Sequence, residues 1–231
     1  MPKTRRVNLG GLVYHVLNRA NGRTRIFDSD SDYSNFESVI ERCCRKVRMR
    51  VLSYCIMPNH WHLVLWPYED GDLSDFMQRL TIIHTQMWNN FYESCGHLYQ
   101  GRFRSFPIQA ETHYLNVCRY VEQNALRSNL VKRAEDWRWS SLWRRQNRKY
   151  WLLEDGPVKY PTHWLQEVNT VPEEKELTIL KTSLLRGRPY GENDWVRQTA
   201  EKLGLISTLR PKGRPRSIFK KQTPSTANYP S

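Results

Sequence analysis

Two histidines separated by a single residue, His60 and His62, sit in the apolar run HWHLVLW, which is predicted to be extended. On a strand, residues two apart point to one face, so both imidazoles project together while Trp61, Leu63 and Leu65 face the other way. Paired neutral imidazoles make half of a site for a divalent cation. The same spacing also suits two histidines that are merely hydrogen-bonded in an aromatic strand. Further along, Tyr120 and Asn124 are four apart on a predicted helix and share a face with Asn116, whereas Leu115, Cys118 and Val121 mark a core-facing stripe. Packing does not explain a tyrosine and an amide on the more polar side, although Tyr120 is one of twelve tyrosines and could simply lay its ring against a sheet. If the two halves meet, the chemistry is coherent. The phenolic oxygen of Tyr120 attacks a phosphodiester, giving a 5′-phosphotyrosine link and a free 3′-OH. A cation held by His60, His62 and the amide oxygen of Asn124 polarises the scissile phosphate for in-line attack. The link conserves the phosphodiester, so a second 3′-OH can reverse the step.

The elements that must position these residues follow from periodicity and turn signals. Leu12–Leu17 is predicted as a first strand, Tyr33–Lys46 as a helix with N-caps available from Asp28 to Asp32, and Val51–Ile56 as a second strand. Met57-Pro58-Asn59 is a tight connection, because Pro58 denies a central strand its donor, and His60–Trp66 is the third strand. A long helix follows from Asp72 to about Asn90, then a strand at Phe103–Gln109 and a helix from about Thr112 to Asn124. This order is an α+β, ferredoxin-like split βαβ plan, in which helices are expected on one sheet face and ligand on the other. Beyond Leu126 the chain changes. Arg127–Lys149 carries eight basic residues against two acidic ones, Asp155–Pro172 reads as a linker, and Glu192–Leu203 as a short helix. Leu205–Ser231 has six Lys/Arg, four Pro and no acid, the signature of a flexible basic tail. The expected division is therefore a domain over 1–150 and a basic extension over 151–231.

Composition fits a nucleic-acid partner. The formal charge is +13, from 36 Lys+Arg against 23 Asp+Glu, and 9 Trp, 12 Tyr and 7 Phe argue for an ordered globule. Five cysteines without a CxxC pair suggest neither a disulfide framework nor a zinc ribbon. MPKTRRVNLGG has charge but no apolar run behind it, and no stretch is long enough to cross a bilayer, so a cytoplasmic protein is expected, with no membrane partner.

The run VLSYCIMPNHWHLVLW resembles the HUH-motif segment of the single-tyrosine transposases of the IS200 type, and most nearly the REP-associated tyrosine transposases, which read M-P-N-H-x-H there. RYVEQNALRSNLV, at Arg119–Val131, resembles their catalytic helix, usually R-Y-[IV]-x-x-N-P-V-R-A-x-L-V. YHVLNR, GRFRS and WRWSS fit as well, and the similarity runs from about residue 8 to 145. The resemblance implies a DNA strand-cleaving and strand-joining enzyme of the HUH endonuclease fold that uses Mg²⁺ or Mn²⁺. It puts His60 and His62 on the metal-binding histidines, Tyr120 on the nucleophile and Asn124 on the third ligand. Ala125 stands where proline is usual, which implies an altered turn after the helix.

The implied partner is single-stranded DNA folded into the hairpins of repetitive extragenic palindromes, acted on by a monomer or a homodimer. Arg102, Arg104, Arg127, Arg138 and Arg144 are the candidate phosphate contacts, with Trp137, Trp139, Trp143 and Tyr99 as stacking surfaces. Lys212, Arg214 and Arg216, in KGRPR, resemble the core of an AT-hook, though a solvated basic tail accounts for them equally. The competing reading is a domesticated, catalytically weak hairpin-binding protein. A relaxase or replication initiator matches the position of Tyr120 less well. An RNA-binding module on the same plan would put aromatic residues where His60 and His62 stand.

Overall fold

The computed structural model describes residues 8–210. Lys212, Arg214 and Arg216 lie outside the described residues. The strands are β1 (Val13–Arg19), β2 (Met49–Met57), β3 (His60–Pro67) and β4 (Arg104–Ile108). The first four helices are α1 (Asp30–Lys46), α2 (Asp72–Phe91), α3 (Thr112–Glu122) and α4 (Asn124–Arg127). Beyond them come α5 (Ser141–Gln146), α6 (Trp164–Asn169), α7 (Glu174–Arg186) and α8 (Asn193–Lys202).

The sheet has the order β2-β3-β1-β4 with every neighbouring pair antiparallel. β1 and β2 run the same way with β3 between them, which is the split βαβ plan expected from the element order. β2 and β3 form a hairpin whose turn is Pro58-Asn59, so that Met57 pairs with His60. The Pro58 carbonyl accepts from the backbone N–H groups of Ile26 and Phe27, which ties this turn to the loop after β1. α1 starts in a capping box between Ser29 and Asp32.

Alternation along the strands divides the core in two. Tyr14, Val16, Trp61, Leu63 and Leu65 face α1 and α2, meeting Phe36, Ile40, Phe76 and Leu80. Val13, Leu52, Cys55, Val64, Phe106 and Ile108 face α3. The second face is thus not free for ligand, as the sequence suggested. α3 covers it, joined by Trp164 and Val168 of α6 and Leu180 of α7. Helical periodicity shows that a helix has an apolar side but not which sheet face takes it.

The region read as a linker is also structured. α6 is too short to display a period, having only Trp164 and Val168 as buried anchors one turn apart. α7 buries Leu180 and ends at Gly187 in the left-handed region, φ 69°. Tyr190 exchanges backbone hydrogen bonds with β4, accepting from Gln109 N and donating to Pro107 O. On the opposite edge, Trp139 O accepts from Ile56 N, and Trp137 Nε1 donates to Ile56 O. Both sheet edges are therefore covered. Among the described residues no helix is long and apolar enough to cross a membrane.

Candidate active site

β3 begins at His60, so the hairpin turn delivers this imidazole at the end of the strand and His62 one pleat further in. Their rings are 5.2 Å apart, centroid to centroid, and nearly perpendicular. α3 crosses this face with the Tyr120 ring edge-on to His62 at 5.8 Å. The Tyr120 ring thus lies beside the paired strand histidines. His62 and Tyr120 are almost fully buried, at 3% and 7% exposure, and His60 is partly open.

The histidines are tuned toward the neutral form. Burial, helped by the positive charge of Arg19, pushes the His60 pKa down to about 4. Burial does the same to His62, reinforced by His15, His60, Arg127 and Arg19, and holds it well below the usual range. Neutral imidazoles keep a lone pair for a cation without first losing a proton. The Nδ1–H of His60 donates to Asn59 Oδ1 at 2.7 Å, which leaves its Nε2 lone pair unengaged by this bond. His62 Nδ1 is engaged by His15 Nε2, so its state depends on which of the two nitrogens carries the shared proton.

Asn124 follows Tyr120 by one turn, at the point where α3 gives way to α4. With alanine at 125 in place of proline, the backbone continues through one further helical turn to Arg127. The Asn124 amide nitrogen donates to the carbonyls of Tyr120 and Val121, at 3.1 and 3.4 Å, so the amide oxygen is turned away from them. The Ala125 backbone contacts Cys55, which is paired in register with His62, so this turn lies over the histidine strands. Among the described residues no group of three or more His, Cys, Asp or Glu side chains could hold a metal. The paired imidazoles of His60 and His62 are the metal-competent donors brought side by side here, while the Asn124 amide oxygen, one turn after Tyr120, is left without a helix carbonyl partner of its own.

Arg127 stacks its guanidinium over the Tyr120 ring, 4.5 Å from the centroid, and its Nη1 is buried with no hydrogen-bond partner among the described residues. Outside this centre, Arg19, Arg23, Arg102 and Arg104 line a cavity of about 540 Å³ whose far wall is Leu184 and Leu185 of α7. Arg19 is paired in register with His60, so the cavity opens beside the histidines. None of the four forms an ion pair among the described residues.

Other candidates from sequence go elsewhere. Arg144 is 8% exposed, with its guanidinium against Glu37 and Tyr54, which leaves it little to offer a phosphate. Arg138 pairs with Asp30 at 3.1 Å. Trp139 stacks on Tyr33, and Tyr99 accepts from Trp61 Nε1 and bonds His84, so both are core residues. Sequence reasoning overlooked His15, Arg19 and Arg23. His15 and Arg19 both lie in YHVLNR, one of the segments that fit the family, and His15 is also a polar residue in the apolar run VYHVL.

This arrangement of strand histidines and helix tyrosine coincides with a family match. The model of the IS200-like transposases matches residues 8–124. The chain belongs to the IS200-like transposase family. A Haemophilus influenzae relative, assigned by name to the REP-associated tyrosine transposases, is 24% identical over 148 residues, 58% of this chain and 81% of its own. A solved structure of a REP-associated tyrosine transposase bound to a REP hairpin superposes with a TM-score of 0.55 at 18% identity, over 69% of this chain and 95% of that one. The superposition establishes the shared fold.

Proposed function

We propose that this IS200-like transposase is a metal-dependent endonuclease of single-stranded DNA that cuts and rejoins strands through Tyr120. The observation that carries this reading is the edge-on approach of the Tyr120 ring to His62, beside His60, from a separate element of the fold. The phenolic oxygen forms a bond to phosphorus, the bond from phosphorus to O3′ breaks, and the phenolic proton ends on the released 3′-OH by way of water. His60 and His62, with the amide oxygen of Asn124, would hold the cation, which supplies Lewis-acid polarisation of the scissile phosphate. The unpartnered Nη1 of Arg127 is suited to a phosphate oxygen. Its guanidinium also keeps the Tyr120 ring in place by stacking.

The substrate reading rests on the relatives. The superposed transposase is bound to a REP hairpin, and folded-back single strands of that kind are proposed as the substrate here. The arginine-lined cavity beside His60 supports a path for the strand's phosphates, with Arg19, Arg23, Arg102 and Arg104 as the contacts. The proposed division is a core over residues 1–150 followed by a basic extension whose α6 and α7 pack into the α3 face of that core.

The test is a covalent adduct. A 3′-labelled hairpin strand incubated with protein and Mg²⁺, then denatured, should leave label on protein, with the adduct on the peptide containing Tyr120. Tyr120→Phe should abolish the band and retain hairpin binding. Cutting without an adduct under trapping conditions would make the chemistry hydrolytic. Hairpin binding with neither cutting nor adduct would favour a domesticated binding protein.

A further inference from the structure

One buried histidine has no part in the chemistry above. His15, on β1, is fully buried and lies on the same sheet face as His62. Its Nε2 is 2.9 Å from His62 Nδ1, with the two rings 5.0 Å apart. Phe106 packs 5.0 Å from the His15 ring. The other ring nitrogen of His15, Nδ1, is buried and has no hydrogen-bond partner among the described residues.

A single proton bridges the two rings, and where it resides decides what His62 can bind. If His15 Nε2 donates, His62 accepts at Nδ1 and carries its own proton on Nε2, where no cation can then coordinate. If His62 Nδ1 donates, its Nε2 presents a lone pair, and His15 carries its proton on Nδ1. A neutral imidazole ligates only through its unprotonated nitrogen.

We propose that His15 is a positioning residue that fixes His62 in the tautomer with a bare Nε2, by accepting the hydrogen bond from His62 Nδ1–H. The inference rests on the reading of His60 and His62 as metal ligands. One further observation supports it. His60 is fixed in the same way, its Nδ1–H donating to Asn59 Oδ1, so each histidine has its own acceptor, one from the turn and one from the neighbouring strand. Partners of this kind orient a ligating imidazole and raise its basicity.

The experiment has two parts. In ¹⁵N-histidine-labelled wild type with Mg²⁺, NMR should find the bridging proton on His62 Nδ1 and a coupling through the hydrogen bond to His15 Nε2. A proton on His15 Nε2, or no coupling between the two, overturns the proposal. In Mn²⁺ titrations followed by electron paramagnetic resonance, His15→Phe should weaken binding by roughly 10–100-fold. His15→Gln, whose amide oxygen can still accept, should recover most of that loss. Wild-type affinity in His15→Phe, or equal losses in both variants, refutes the role. His60→Ala in the same titration reports on the ligand reading separately: if it binds Mn²⁺ like the wild type, the assignment of the metal site fails whatever His15 does.

Discussion

Trp164→Ala should remove about 4 kcal/mol of stability, a loss too large for a side chain in a detached extension. Trp164 is 6% exposed and packs with Tyr160, at 4.8 Å between ring centroids, against the core that contains α3. Its Nε1 donates to Glu122 Oε2 at 2.8 Å, and Glu122 is wholly buried, two residues from Tyr120. Truncation to alanine removes an aromatic anchor, for which losses of about 3–5 kcal/mol are typical. Trp164→Phe keeps most of the ring and deletes only the hydrogen bond to a charged group, about 1.5–3 kcal/mol. The lower end applies, because Glu122 retains Arg145, Ser53 and Ser141 as partners. With a urea slope of about 2 kcal/mol per M, the unfolding midpoint should fall by about 2 M for alanine and somewhat under 1 M for phenylalanine. DNA cleavage should fall alongside, since α3 carries Tyr120, the proposed nucleophile. If the alanine variant kept the wild-type midpoint, α6 would not belong to the cooperative unit, and the packing argument would be wrong. Equal midpoints for the two variants would mean that the Glu122 hydrogen bond carries the whole effect.

Three further outcomes are expected. Arg102→Ala with Arg104→Ala should flatten the salt dependence of single-strand binding by about 1.4 units of slope if both arginines meet phosphates, and an unchanged slope in filter binding would remove the cavity from the DNA path. Burial lowers the pKa of His84 to about 3, far below its unfolded value, so the stability it contributes is present above pH 6.5 and is lost as pH falls. Unfolding in urea at pH 7.5 and 5.5 should differ by about 1.4 kcal/mol from His84 alone, with His60 acting in the same direction, and a flat profile would contradict their neutral burial. Asn124→Ala should weaken metal binding less than His60→Ala, because water can replace an amide oxygen, and calorimetry showing unchanged affinity would remove Asn124 from the ligand set.

The histidine hairpin was legible because its signals are local. Pro58 marks the turn, and strict alternation after it sets which side His60 and His62 face. α1 and α2 were legible for the same reason, each repeating its apolar residues over several turns. What failed to show was pairing at a distance. His15 acquires meaning only because β1 lies beside β3, and that neighbourhood is a property of sheet order. The tryptophans in WRWSS read as stacking surfaces because aromatic residues among arginines suit DNA, yet Trp139 is 4% exposed in the core and Arg144 serves Glu37. Composition alone does not separate a basic DNA-facing stretch from one whose arginines answer buried carboxylates.

α3 is fastened from outside by the C-terminal helices: Arg119 to Glu176, Gln123 to the Thr170 carbonyl, and Glu122 to Trp164. Tyr120 therefore approaches the histidines of its own chain. A reactive centre closed within one polypeptide has a kinetic signature. If Tyr120 is the nucleophile, the turnover per molecule on saturating DNA stays constant on dilution, where a centre shared between two copies would fade with their association.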